Sequence, residues 1–85
     1  RLKANYANGY FNRATTFVRL REFDAAIRDY DVALKVSPKW SISLFGRGVA
    51  KRGKGDLAGG DADIAAAKAI DSNVAADMAT LAIRP

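Results

Sequence analysis

Residues 10–38 read YFNRATTFVRLREFDAAIRDYDVALKVSP. Within this stretch Tyr10, Ala14, Phe17, Ala26, Tyr30, Ala33 and Pro38 alternate large and small side chains at spacings of 4, 3, 9, 4, 3 and 5. Moving each position by 34 residues gives Leu44, Gly48, Lys51, Gly60, Ile64, Ala67 and Ser72, and Phe11/Phe45, Arg13/Arg47, Asp29/Asp63 and Ala33/Ala67 are identical across that shift. A fixed period of this length announces units that stack on one another, because one unit cannot bury its apolar face alone.

The steps inside each unit are helical. Tyr10, Ala14 and Phe17 fall on one face of a 3.6-residue helix, and Phe23, Ala26, Ile27, Tyr30, Ala33 and Leu34 do the same farther along. Breaks in the pattern at 20–22 and 53–56 divide each repeat into helices A and B, predicted near 6–20 (A1), 23–36 (B1), 40–53 (A2) and 57–70 (B2). Pro38 cannot continue a helix and restricts Ser37, so B1 has to stop before it. Ala14 with Ala26, and Gly48 with Gly60, are small enough for the A and B backbones to approach closely. Gly59 and Gly60 lower helix propensity by about 1 kcal/mol each relative to Ala.

This order of large, small and aromatic residues resembles the tetratricopeptide repeat over roughly residues 4 to 72. The first copy fits the family pattern at every quoted position. The second departs at Lys51, where an aromatic is usual, and at Ser72, where Pro is usual. The resemblance implies an all-α right-handed solenoid of two helix-turn-helix repeats, 6–38 and 40–72, within a single 85-residue domain. It also implies a scaffold that binds other proteins in the groove lined by its A helices.

Both ends read as parts of such an array. Arg1 to Tyr6 aligns at the same shift with Lys35 to Trp40, so residues 1–5 are expected to be the tail of a preceding B helix, with an upstream repeat cut away. Ser72 is expected to cap a third A-type helix over 73–83, in which Val74, Met78, Leu81 and Ala82 repeat at helical steps. Such a helix commonly closes a tetratricopeptide array. The B2 equivalents of Ile27 and Leu34 are Asp61 and Lys68, giving the last repeat the polar outer face that a terminal unit needs. By contrast the A1 side, around Tyr6, Tyr10 and Phe17, is left short of cover, and a homodimer through this N-terminal edge is expected if the chain self-associates.

Composition narrows the chemistry. At this length a single core is near its lower limit of self-sufficiency, so stacking matters. With no Cys and no His, disulfides, thiol catalysis and a histidine base are excluded. The net charge of +5 favours acidic partners but is spread along the chain. No apolar run is long enough for a membrane span and no signal peptide is visible. The carboxylates at Asp24, Asp29 and Asp31, and at Asp56, Asp61 and Asp63, scatter over different helix faces, so neither metal nor cofactor is expected. GKGDLAGG follows no strand and matches no phosphate loop.

The faces of A1 and A2 turned away from their B helices define the candidate peptide groove: Asn8, Phe11, Asn12, Thr15 and Arg19 on A1, with Ile42, Phe45, Val49 and Arg52 on A2. Ile42, Phe45 and Val49 are apolar where an outward face should be polar, which motivates a partly hydrophobic groove with a basic rim, suited to an apolar anchor and an acidic neighbour. Phe11 and Phe45 can equally pack between adjacent A helices as core. The Lys and Asn pattern with which related domains clamp a terminal carboxylate is absent: Phe11 and Thr15, or Ile42 and Gly46, stand in its places. Arg13 and Arg47 each precede an Asp, Asp29 and Asp63, by sixteen residues and are expected to form structural ion pairs across the A/B contact.

The sequence therefore points to a non-catalytic protein-interaction module with no small-molecule substrate. A structural segment that ends a longer array or self-associates is the first alternative. A basic nucleic-acid binder built on Arg47, Lys51, Arg52 and Lys54 is the second, weakened by the lack of an aromatic stacking platform.

Overall fold

The computed structural model describes residues 4–85, with side chains from Tyr6 onward. Five α-helices follow one another: α1 (Ala4–Arg19), α2 (Phe23–Val36), α3 (Ser41–Gly53), α4 (Leu57–Ile70) and α5 (Val74–Ala79). There is no strand among the described residues. Ala4 and Asn5 open α1 rather than ending an earlier helix, and the rest of the expected tail, residues 1–3, lies outside the described residues.

Three-residue connections make α1 and α2 one hairpin and α3 and α4 another, and α2 packs on α3 to join them. Both connections use the same device. Arg21 has φ 61° and Gly55 has φ 103°, left-handed conformations that let the chain reverse. In each case the next amide reaches five residues back: Glu22 N–H to Phe17 O at 2.8 Å, and Asp56 N–H to Lys51 O at 2.8 Å. These satisfy carbonyls that a helix end would otherwise leave unpaired. Asp56 then caps α4 by accepting the Gly59 N–H at 2.9 Å. α2 ends at Val36, and Ser37, at φ −133° and ψ 83°, has already left the helical region that a residue before proline avoids.

Packing follows the large and small pattern. Ala14 and Ala26 are fully buried where α1 meets α2. At the equivalent contact of α3 and α4, a Cβ added to Gly48 would lie 2.7 Å from the Gly60 carbonyl oxygen, so the two backbones touch there as no other residue type would allow. Tyr30, Phe45, Val74 and Met78 form the centre of one continuous core.

The C-terminal part departs from expectation. α5 is shorter than 73–83, and Ser72 is not its cap: Asp71 accepts Asn73 N–H at 2.9 Å and its carbonyl accepts Val74 N–H at 3.1 Å. α5 stops because Ala82 turns left-handed at φ 63°, with Ile83 N–H reaching back to Met78 O at 3.0 Å. Ile83 and Met78, the two residues this reversal brings together, are both fully buried. The face of α4 that carries Asp61 and Lys68 also carries the exposed Leu57, and Ile70 is exposed on another face of the same helix. Those two side chains show that the N-terminal edge is not the sole open apolar surface.

Candidate functional site

The ion pairs fix the hairpins before any groove can be drawn. Arg13 Nε and Nη2 donate to Asp29 Oδ2 and Oδ1 at 2.6 and 2.9 Å. Arg47 Nε and Nη2 donate to Asp63 at 2.7 and 3.0 Å, while its Nη1 donates to Asp31 on α2 at 2.8 Å. Arg47 therefore joins both hairpins through one guanidinium, a planar fork suited to two carboxylates at once. Lys51, which stands where the first repeat has Phe17, turns its Nζ to Asp63 at 3.0 Å, so its departure from the apolar pattern has a charge partner. Burial pushes the Asp63 carboxyl up, but hydrogen bonds from Arg47 and Lys51 outweigh this and leave it below its ordinary value. The hydrogen bond to Asp63 raises the Arg47 pKa in turn.

The expected groove residues divide into two sets. Asn8, Asn12 and Arg19 are exposed along α1, and Ile42 and Arg52 are half-buried on α3. Phe11, Thr15, Phe45 and Val49 are buried, which corrects their placement on an open face. Each has a physical reason. Phe11 packs against Tyr30 and Trp40, with ring centroids 5.8 and 5.2 Å away. The Thr15 hydroxyl is hydrogen bonded to the Tyr30 hydroxyl at 2.9 Å, which satisfies both polar groups inside the core. That bond needs room, and Gly46 supplies it: a Cβ there would run into the Tyr30 ring and hydroxyl, so Gly46 faces α2 instead of the groove. Burial raises the Tyr30 hydroxyl to a pKa of about 12, the hydrogen bond with Thr15 opposing the shift only in part. Phe45 and Val49 lie on α3, the helix against which α5 leans more than against α4.

Across this face runs a segment of the chain itself. Arg19 Nε and Nη2 both donate to the carbonyl oxygen of Leu81, at 2.9 and 2.7 Å. Beyond it Ile83 is buried completely, and Ala82, Arg84 and Pro85 form one wall of a cleft of about 500 Å³ whose other wall includes Val18, Arg19, Val49 and Arg52. Sequence periodicity could not have placed this segment, because it is not helical. Arg84 and Arg21 enter the basic rim through it and beside it, and neither had a periodic signal. Asp31 did have one: it stands sixteen residues before Arg47, as Arg47 stands before Asp63.

No helix among the described residues is long and apolar enough to cross a membrane. A scan against protein-family models, a search of curated proteins and a search of solved structures each returned no match to the chain.

Proposed function

We propose that the chain is a right-handed solenoid of two tetratricopeptide-type hairpins that works without catalysis as a protein-interaction module, holding an extended peptide on the face shared by α1 and α3. The observation that carries this reading is the grip of Arg19 on the Leu81 carbonyl beside the buried Ile83. That face already receives a non-helical segment by the two means an extended ligand would require, a donor for its backbone and a place for one apolar side chain. The exposed Asn8 and Asn12 continue the same face with further side-chain amides able to bond a peptide backbone. The net charge of +5 favours an acidic partner.

The test is titration of the isotope-labelled full chain with a short peptide holding one isoleucine among glutamates. Resonances of Asn8, Asn12, Arg19 and Ile42 should shift together, affinity should fall as salt is raised, and Arg19→Gln should weaken binding several-fold. Shifts confined to α2 and α4 would place the interaction on the opposite face and end this reading.

Self-association is the second reading, favoured by Tyr6, which is 52% exposed beside the half-buried Tyr10 and Phe17 at the α1 edge. Sedimentation velocity should then show a dimer that Tyr6→Ser returns to monomer. A dimer that survives Tyr6→Ser but is lost in Leu57→Ser would move the contact to α4.

A further inference from the structure

The cleft between the C-terminal segment and the ends of α1 and α3 collects arginines from several parts of the chain. Four guanidinium groups border it, those of Arg19, Arg21, Arg52 and Arg84. Only Arg52 has a carboxylate partner, Asp61. Arg19 is satisfied by a neutral carbonyl, and Arg21 lies over the Phe23 ring with its Cζ 5.3 Å from the centroid. Among the described residues Arg84 has no ion-pair partner. Arg19, Arg21 and Arg84 are therefore gathered at one cleft without an ion-pair partner among the described residues.

The helix ends do not decide the sign of this cleft, because α1 and α3 finish where α2 and α4 begin and their opposite dipoles meet. The guanidiniums decide it. Arg52 keeps its Asp61 partner through Nη1, while its buried Nε has no acceptor and is open to one from a ligand. Each guanidinium fork matches two oxygens of an oxyanion, and a doubly charged group answers the gathered charge better than a single carboxylate.

We propose that this cleft is an oxyanion subsite that takes a phosphate group, carried into it by a phosphorylated side chain of the bound peptide. The inference rests on the peptide reading for the path of the ligand, and on the arginines alone for the phosphate. Arg19, whose Nε and Nη2 are taken by Leu81 O, would offer the phosphate its remaining Nη1, while the exposed Arg21 and Arg84 would meet the anion from the other sides of the cleft.

The experiment uses the full chain at constant ionic strength and three probes: inorganic phosphate, a short peptide holding one phosphoserine beside an isoleucine, and the same peptide unmodified. The phosphopeptide should bind about tenfold tighter than the unmodified form or better, through charge-assisted hydrogen bonds. The shifts should include the side chains of Arg19, Arg21, Arg52 and Arg84. Arg21→Gln and Arg84→Gln should each reduce that preference by about threefold or more, with the melting temperature unchanged because neither side chain is part of the core. Free phosphate binding as tightly as the phosphopeptide would support the subsite and assign its occupant to the free ion. Equal affinity for the two peptides, or a preference indifferent to both variants, would overturn the proposal, as would a single-stranded RNA that outcompetes the phosphopeptide at this cleft. Binding of the unmodified peptide to α1 and α3 would still be seen in those cases, so failure of the subsite is distinguishable from failure of the groove.

Discussion

Arg47 and Asp63 form a two-pronged contact, Nε on one carboxylate oxygen and Nη2 on the other, and the third nitrogen of the same guanidinium reaches Asp31 in the preceding hairpin. Arg13 makes the equivalent two-pronged contact to Asp29 but lies over the Tyr10 ring instead of reaching a second carboxylate, and its side chain is 61% exposed against 23% for Arg47. Arg47→Ala should therefore destabilise the fold by about 2–3 kcal/mol, because it leaves the largely buried Asp63 with Lys51 alone and cuts the link between hairpins. Urea unfolding should show a smaller loss for Arg13→Ala. Asp29→Ala should be milder than Arg13→Ala, since the group it strands is in water; the opposite order would contradict this account of the pairs.

The acid response follows from the same carboxylate. Asp63 is depressed in the folded state, so its contribution is complete above the unfolded value of about 4 and is lost as pH falls through the folded value. Stability should drop on acidification through that window, and Asp63→Asn should flatten the dependence while lowering stability at neutral pH. Denaturant midpoints across an acid series measure both.

At the alkaline end the controlling group is Tyr30. Its folded pKa of about 12 stands above the unfolded value of about 10, so the neutral hydroxyl stabilises the fold fully below pH 10 and that stability disappears between the two values. Tyr30→Phe should remove this alkaline loss while leaving the Thr15 hydroxyl without its partner, a cost of about 1 kcal/mol at neutral pH. Ultraviolet titration of tyrosine alongside unfolding would separate the two effects.

Two glycines in the A helices should respond to alanine in opposite directions. Around Gly9 nothing lies within 4 Å of an added Cβ, so Gly9→Ala should stabilise by about 0.5–1 kcal/mol through helix propensity. Gly48→Ala should destabilise by about 1–3 kcal/mol, since its methyl meets backbone oxygen that cannot move aside without parting α3 from α4. Thermal unfolding of both variants checks the sign as well as the size.

Ala82 offers a test of the reversal that ends α5. An alanine at φ 63° is strained where glycine is not, so Ala82→Gly should stabilise by about 1 kcal/mol. The same change at the exposed Ala76, inside the helix, should destabilise by a similar amount. A stabilising effect at neither site would argue against the left-handed turn.

The repeat was legible because its cause is periodic. Arg13, Asp29, Arg47 and Asp63 recur at one spacing, and the small residues that let helices approach recur with them. The groove was legible only as a face. Thr15 reads as an exposed polar residue, and nothing in its neighbours announces that a tyrosine fifteen residues on will reach it through the gap left by Gly46. Phe45 and Val49 read as outward because a helical wheel assigns direction from one repeat and ignores what packs from the next. The reversal at Ala82 left no mark at all, for Gly55 signals a left-handed residue and alanine does not.

The bond from Arg19 to Leu81 spans sixty-two residues, from the first helix to the segment after the last. In a stack whose units touch only their neighbours, either end can fray while the other stays folded, and unfolding proceeds as an unzipping. A clasp between the two ends changes that behaviour. Releasing the segment after α5 takes away the Leu81 carbonyl from Arg19 at the end of α1, and loosening α1 frees that segment in turn, so both ends should open in one concerted event. Their slowest-exchanging amides should then share a single opening free energy, where an unclasped array would show a gradient along the chain.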